Sequence, residues 1–268
     1  MCLIVFAWRP SQAVPLVVAA NRDEFHARAA LPMSAWEDAP QLIAGRDLQA
    51  GGTWMGITRE GRFAALTNIR EPNQPPGRHS RGTLPERFLR AEMPPEEYLA
   101  ELTSQRADFA GFNLLVGDSQ SLWHLNSREG APRRLPEGVF GLSNASLDTP
   151  WPKLLRARSK LAGCLEAPRP DTLLQVVADR QQAGDHELPD TGVGAEMEKL
   201  LSSAFIVGRD YGTRASTALI RRHDGSLDML ERSFGPEGLL GEARFRHPAA
   251  AAGHRDQRAT RMGFSALG

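Results

Sequence analysis

Cys2 follows the initiator methionine directly and is the most chemically suggestive residue of this 268-residue chain. Its small side chain permits removal of Met1, which would leave a thiol and a free α-amine on one residue. A Cys thiol with its ordinary pKa of about 8.5 is mostly protonated at neutral pH, whereas an α-amine titrates near about 7.7 to 8.0. The amine can therefore act as general base for the thiol, which predicts an N-terminal nucleophile. A Cys2 without any chemical role is the alternative.

Polar residues that could complete such a site stand at the ends of predicted strands. The run Asn21-Arg22-Asp23-Glu24 follows an apolar segment, and buried polar residues are costly unless they pair with one another or with a ligand. An acyl transfer also needs hydrogen-bond donors where charge develops on the substrate oxygen, and losing one donor costs about 100- to 1000-fold in rate. Asn68 and Asn144 are candidates for these donors. Ion pairing and ordinary strand-end chemistry would explain the same residues without catalysis.

Several other kinds of site are disfavoured by the sequence. It contains no Gly-x-Ser-x-Gly elbow, no phosphate-binding loop and no His-Glu-x-x-His motif. The seven histidines are scattered without ligand spacing, so we expect no metal site. The 32 basic and 32 acidic residues cancel, which disfavours nucleic acid or an anionic membrane as partner. Cys164 lies in a helical pattern, and we expect it to be a buried, inert thiol.

Two hairpins are predicted to position these residues. The apolar runs over residues 2 to 8 and 14 to 20 predict a central hairpin whose second strand delivers Asn21 to Glu24 beside Cys2. A second hairpin covers residues 51 to 68, and the glycines that open it permit a close backbone approach or a tight bend. Residues 26 to 50 lack a period, so we expect a long loop there, packed by four apolar residues: Leu31, Trp36, Leu42 and Ile43.

The rest of the chain alternates between blocks of helices and blocks of strands. Helices are predicted over residues 83 to 91, from 94, over about 150 to 165 and over 171 to 182, strands over 111 to 116, 122 to 125, 139 to 142, 203 to 207, 216 to 221 and 227 to 232, and a loop over 184 to 196. Such segregation favours an α+β fold with antiparallel sheets. We predict a single domain over residues 1–248 and a poorly anchored tail over 249–268. The apolar start is too short for a signal peptide or a membrane span, so we expect a cytoplasmic protein.

Several ordered motifs together resemble a known family. They are Met-Cys at the start, Asn21-Arg22-Asp23-Glu24, Gly51-Gly52-Thr53-Trp54-Met55-Gly56, Leu66-Thr67-Asn68-Ile69-Arg70, Gly141-Leu142-Ser143-Asn144 and Tyr211-Gly212-Thr213-Arg214. This set resembles the NRDE family, whose eukaryotic members are called transport and Golgi organisation protein 2. The resemblance extends from residue 2 to about residue 232.

The family is similar to the N-terminal-nucleophile hydrolases, which implies a four-layer αββα sandwich of two mostly antiparallel sheets. Relatives in the choloylglycine hydrolase and penicillin V acylase group cleave amides with an N-terminal Cys. The resemblance implies that Cys2 is nucleophile and base, that Asp23 orients its amine, that Asn144 and Asn68 are oxyanion donors, and that Arg214 holds the surroundings. It also implies substrate contacts by Asn21, Arg22 and Trp54, which belong to the matching motifs.

One motif departs from the hydrolase pattern. The hydrolases usually carry Arg-Asn-x-Asp on the second strand, and with Asp23 aligned the arginine position falls on Ala20. We expect alternation along the strand to turn Arg22 to the other face, with Arg214 as the residue that could compensate.

Two functions of different classes follow from the resemblance. The first is an amidohydrolase or acyltransferase that acts on a small amide through a Cys2 thioester and needs no cofactor. The second is a non-catalytic carrier of haem or of an acyl-CoA or lipid in the same cleft, with Cys2 or a loop His as haem ligand. A structural partner protein is a third possibility. In either of the first two cases the partner is a small molecule.

Overall fold

Two antiparallel β-sheets packed face to face form the centre of the protein. A computed structural model describes residues 2–249. Met1 lies outside this range, and so does the predicted tail apart from Ala249. In spatial order the six strands of sheet A are β10 (Gly138–Leu142), β1 (Cys2–Trp8), β2 (Leu16–Phe25), β11 (Tyr211–Arg221), β12 (Leu227–Gly235) and β13 (Gly238–His247). The seven strands of sheet B are β3 (Ala30–Trp36), β4 (Ala39–Asp47), β5 (Met55–Thr58), β6 (Phe63–Asn68), β7 (Phe112–Gly117), β8 (Leu122–Asn126) and β9 (Arg133–Arg134).

Helices cover the outer face of each sheet. Helices α1 (Thr83–Arg90) and α2 (Pro95–Gln105) pack on sheet B, whereas α3 (Pro152–Ala162) and α4 (Pro170–Val176) pack on sheet A. A short helix, α5 (Ala195–Leu200), lies beside α3, where the Lys153 ammonium donates to the carbonyl of Leu201. The order helix, sheet, sheet, helix is the four-layer αββα sandwich that the resemblance implied.

Strand β1 explains why the apolar run at the start of the chain shows no polar alternation. Its side chains point alternately to two different cores, because the strand is covered on both faces. Ile4 and Phe6 lie in the core between the sheets, whereas Leu3 and Val5 lie in the core under α3 and α4. Full burial of such a side chain contributes about 1.5 to 3 kcal/mol, so both faces of this strand stabilise the sandwich.

The central hairpin is confirmed. β1 pairs antiparallel with β2 from Trp8 opposite Leu16 to Cys2 opposite Arg22. This register carries the polar run at the end of β2 to the start of β1, as the sequence predicts. β2 also pairs with β11, which brings Thr213 opposite Asp23.

The loop predicted over residues 26 to 50 is wrong, because β3 and β4 occupy most of it. The register of this pair shifts twice, between Leu31 and Ser34 and again between Ala35 and Trp36. Each bulge turns the following side chains to the other face of the strand, so no period of two is visible in the sequence.

Several predictions for the second half of the chain are also wrong. The strand predicted over residues 203 to 207 is irregular backbone, because its carbonyls at Ala204 and Ile206 accept bonds from Asn21 and from the backbone of Thr213. The helix predicted to reach residue 182 ends at Val176, and α5 begins at the end of the predicted loop, at Ala195, and extends beyond it. The sequence analysis does not predict the strand β13, which is mostly exposed and lies at a sheet edge. Cys164 is half-buried rather than buried.

Candidate active site

A cavity of about 440 Å³ opens at the end of the sandwich where β1 begins. Strands of both sheets and the segment before α1 form its wall. Residues able to do chemistry line it, among them Cys2, Arg22, Asp47, Asn68, Arg81 and Glu231. The fold therefore brings residues from distant parts of the chain around the first residue of β1.

The thiol of Cys2 lies in this wall and is largely removed from solvent, with 7% of the residue exposed. The hydroxyl of Ser143 donates to the Cys2 carbonyl at 2.9 Å, which fixes the backbone of the residue. Burial raises the pKa of the Cys2 thiol, and the nearby Asp23 carboxylate acts in the same direction, whereas Arg22 opposes it. The thiol is consequently protonated at neutral pH and needs a base before it can attack a substrate.

Asp23 borders the cavity from the next strand and is almost fully buried. The hydroxyl of Thr213 donates to its carboxylate at 2.7 Å, and the hydroxyl of Tyr211 donates to its backbone carbonyl at 3.1 Å. Burial raises the pKa of Asp23, while the ammonium of Lys153 and the Thr213 bond act against this rise. The carboxylate thus sits next to Cys2 in a low-dielectric environment, where a positive charge would be strongly attracted.

Arg22 also faces the cavity, and the expectation that it points to the other side of β2 is wrong. Residues two apart in a strand share a face, so Arg22 and Ala20 project in the same direction, toward sheet B. The Arg22 guanidinium donates to Asp47 at 3.0 Å, and Arg28 donates to the same carboxylate at 2.6 Å. Arg22 therefore contributes a paired positive charge beside Cys2.

The two predicted oxyanion donors are neighbours, but they occupy different positions. Asn68, at the end of β6, lines the cavity. The side-chain amide of Asn144 donates to the Asn68 carbonyl at 2.8 Å, and the Asn144 carbonyl accepts from the backbone of Arg70 at 2.7 Å. Asn144 itself is 1% exposed and is not one of the described residues that line the cavity. Asn144 thus supports Asn68 from behind the wall.

Arg214 fixes the rim of the cavity. Its guanidinium donates to the carbonyls of Phe25, His26 and Arg28 at 2.8 to 3.1 Å and to that of Phe234 at 3.2 Å. These bonds join the end of β2 to the end of β12. The role that the resemblance implies for Arg214, holding the surroundings of the nucleophile, stays a prediction.

The three predicted substrate contacts have different outcomes. Trp54 lines the cavity, as does Arg22. Asn21 does not reach it, because its amide donates at 2.8 Å to the carbonyls of Val177 and Ala204 in the helical layer, and it accepts from Ser216 at 2.6 Å. Asn21 is fully buried and ties β2 to the segments that cover it.

A sequence model of the family described as Transport and Golgi organisation 2 matches residues 1–236. The chain belongs to this family. The transport and Golgi organization protein 2 homolog of Bos taurus is 34% identical in an alignment of 257 positions that covers 87% of this chain and 93% of that protein. The homolog of Homo sapiens is 32% identical in an alignment of 256 positions, with the same coverage of 87% and 93%.

Two solved structures are similar to this family member. A mutant of the conjugated bile acid hydrolase from Clostridium perfringens is 9% identical with a TM-score of 0.45, over 91% of this chain and 92% of that one. The Caenorhabditis elegans ortholog of N-acylethanolamine-hydrolyzing acid amidase is 12% identical with a TM-score of 0.40, over 66% of this chain and 86% of that one.

Three residues of this transport and Golgi organisation 2 family member escaped the sequence analysis. Lys153 on α3 is fully buried, and burial lowers its pKa to about 8 against the opposing influence of Asp23. Glu231 accepts from the Met33 backbone at 2.6 Å and from Thr217 at 2.9 Å, and burial raises its pKa. Glu231 follows Leu227 and Met229 at inward-facing positions of β12, so strand alternation could have identified it. No sequence pattern around Arg81 or Lys153 indicates that these residues lie at the site.

Residues 2–249 show neither a cluster of metal ligands nor a membrane-spanning helix. In that range no three side chains of His, Cys, Asp or Glu are grouped so that they could hold a metal ion. None of the helices there is both long enough and apolar enough to cross a bilayer. Haem iron is held in proteins by His, Cys, Met or Tyr, and Cys2 is the one such side chain among the described residues of the cavity wall. Cys2 is therefore the residue of this wall that would hold haem iron under the carrier alternative.

Proposed function

We propose that this protein is an N-terminal-nucleophile hydrolase, an amidohydrolase or acyltransferase that acts on a small amide through a thioester on Cys2. The observation that carries the proposal is the shared cavity, in which the Cys2 thiol and Asn68 line one wall and Asp23 borders it. Nucleophile, oxyanion donor and a carboxylate able to hold a protonated amine are the parts that acyl transfer needs.

The reaction would begin after Met1 has been removed. The α-amine of Cys2 takes the proton from the sulfur, and the sulfur attacks the amide carbon to form a C–S bond. The amide group of Asn68 donates to the oxyanion that develops. Collapse of this intermediate breaks the C–N bond, and the amine product leaves with the proton that the α-ammonium returns. Water, or an acceptor amine, then adds to the thioester and breaks the C–S bond, which frees Cys2.

The charges around Cys2 support this sequence of proton transfers. The buried Asp23 carboxylate would stabilise the α-ammonium that forms while the sulfur attacks. Thr213 holds that carboxylate at 2.7 Å, so its orientation is fixed before substrate binds. Lys153 offsets part of the burial penalty of Asp23 and thereby favours its ionised form. Thr213 and Lys153 thus act on Asp23, and Asp23 in turn acts on the amine.

The test combines intact-mass measurement with Cys2→Ala and Cys2→Ser variants on a panel of acyl amides. We expect mature protein that begins at Cys2 and turns over at least one amide, and a loss of about 1000-fold or more in Cys2→Ala. Rapid quenching should trap an acyl adduct on wild type and none on Cys2→Ala. The control is Cys164→Ala, which removes the other free cysteine and should leave turnover unchanged. Full retention of Met1, or equal rates in Cys2→Ala and wild type, would exclude this mechanism.

A non-catalytic carrier is the second candidate, and a specific observation favours it. Burial raises the pKa values of both Cys2 and Asp23, so both groups are less reactive than free ones. One side of the cavity is apolar, with Leu31, Pro32 and Leu240, and could hold an acyl chain. Binding of an acyl-CoA that is equal in wild type and Cys2→Ala, without any turnover, would favour the carrier. A haem titration with a Soret shift that Cys2→Ala abolishes would favour haem. A cytoplasmic location stays a prediction.

A further inference from the structure

Arg81 is the arginine of the cavity wall whose charge is least compensated. It lies in the segment Ser80-Arg81-Gly82 that precedes α1, and all three residues line the cavity. Three other arginines of the wall are ion-paired: Arg22 and Arg28 with Asp47, and Arg46 with Asp38. Over residues 2–249, no carboxylate lies within 4.0 Å of the Arg81 guanidinium.

The hydrogen bonds of Arg81 leave most of its donors for another partner. The guanidinium donates from Nη1 to the carbonyl of Gly111 at 2.9 Å, and this is its one side-chain bond within the described range. A guanidinium carries five N–H donors, so four are available to a ligand or to water. Arg214, the other wall arginine without a carboxylate, instead donates to four backbone carbonyls.

The charge of Arg81 interacts electrostatically with Cys2, where the proposed reaction takes place. Burial lowers the pKa of Arg81, and the groups that oppose this effect most are Cys2 in its ionised form and Glu24. An anion beside Arg81 would therefore replace water as the partner of a partly buried charge. The Arg81 guanidinium and the Cys2 thiol therefore belong to the same cavity.

The backbone that carries Arg81 is held rigidly. The amide of Thr53 donates to the Gly82 carbonyl at 3.0 Å, and the hydroxyl of Thr83 donates to the Ser80 carbonyl at 2.7 Å. A Cβ atom on Gly52 would overlap the Gly82 carbonyl, so the two backbones are in direct contact. A guanidinium on such a support loses little freedom when it binds a ligand.

We propose that Arg81 is the anion-recognition residue of this cavity, and that the ligand carries a carboxylate or a phosphate group. Both groups accept two parallel N–H bonds from one guanidinium, which gives geometry as well as charge. The site rests on the proposed function only for the location of the ligand, since anion binding does not require turnover. For the proposed amidase, the anionic group selects the substrate.

Binding is measured by calorimetry on the full-length protein in the Cys2→Ala background, so that hydrolysis cannot change the ligands. The probes are N-octanoylglycine, its neutral amide N-octanoylglycinamide, octyl phosphate and inorganic phosphate. We expect the two octyl anions to bind at least about 10-fold more tightly than the neutral amide. Arg81→Gln should abolish this preference and leave binding of the neutral amide unchanged, whereas Arg81→Lys should keep part of it. The ratio of the octyl phosphate and N-octanoylglycine affinities separates the two kinds of anion, and inorganic phosphate should weaken both by the same factor if they share the Arg81 site.

The matched control is Arg46→Gln, which removes a wall arginine that is already paired with Asp38 and should keep the preference. Thermal melting and circular dichroism verify that each variant is folded. Equal affinity of wild type for the anions and the neutral amide would overturn the assignment, as would an equal loss of all probes in Arg81→Gln or no binding of any probe. An anion preference without amide turnover in protein that retains Cys2 would contradict the proposed function and leave the anion site intact.

Discussion

The two helical layers of this sandwich cover their sheets in different ways. On sheet B, α1 and α2 contribute a mostly apolar interface in which Leu84, Phe88 and Leu99 are buried. On sheet A, the segments from α3 to α5 bury charged and polar side chains, among them Lys153 and Glu198. Both layers close a core, and the helical layer on sheet A places a fully buried charge, Lys153, near Cys2 and Asp23.

The two layers therefore differ in what they contribute: the layer on sheet B mainly stabilises the fold, and the layer on sheet A places charges near the candidate site. An apolar interface gains about 25 cal/mol for each Å² removed from water, whereas a buried charge lowers stability unless it is paired. The buried charges on the sheet A side have close partners: Arg70 donates to Glu198 at 2.5 Å and lies over the ring of Trp151. Buried charges are therefore concentrated where the pKa values of the Asp23 carboxylate and the Cys2 amine would have to be adjusted. Apolar packing on sheet B stabilises the other side of the sandwich.

The largest effect is expected from a cavity in the apolar layer. Phe88→Ala removes a ring that is fully buried against Tyr98, and such truncations cost about 3 to 5 kcal/mol. Activity per folded molecule should not change, because Phe88 does not line the site cavity. Urea unfolding measures the loss, with Phe88→Leu as the milder control. A fall in the rate of the folded fraction would show that the two layers are coupled.

A somewhat smaller loss is expected when the buried ion pair is broken. Glu198→Gln keeps an acceptor for Thr191 but leaves the buried Arg70 without its counter-charge, which should cost about 3 kcal/mol. The control is Glu196→Gln on the exposed side of α5, where an effect below about 0.5 kcal/mol is expected. Denaturant unfolding compares the two. Equal stability of both variants would mean that Arg70 is well solvated despite its burial.

The third effect depends on pH and concerns the inner face of sheet B. Burial lowers the pKa of His124 to about 3, and its ring bonds to Asn113 at 3.1 Å. The folded pKa lies below the unfolded value, so the stability contribution is complete above about pH 6.5 and is lost as pH falls toward the folded pKa. Between pH 7 and pH 5 the loss should be about 2 kcal/mol.

His124→Gln should remove this pH dependence, because glutamine can donate to Asn113 without titrating. Unfolding by urea at pH 7, 6 and 5 measures it, with His223→Gln in an exposed turn as the control. The same slope in His124→Gln and in wild type would assign the acid sensitivity to other groups.

The sequence analysis succeeded where the signal is local. The apolar runs of β1 and β2 are long and uninterrupted, and they predict the hairpin that carries Cys2 and Asp23. The sequence could not predict that Arg22 pairs with Asp47, because Asp47 lies on β4, whose alternation is broken by bulges. Burial of Lys153 likewise depends on segments far along the chain, and its own helix carries no mark of it.

The contact between Gly52 and Gly82 has a consequence for how the cavity can vary. One side of its wall is held by main chain against main chain, with no side chain in between. Substitutions elsewhere in the wall leave this junction untouched, whereas a methyl group at Gly52 would overlap the Gly82 carbonyl and force the turn before α1 to move.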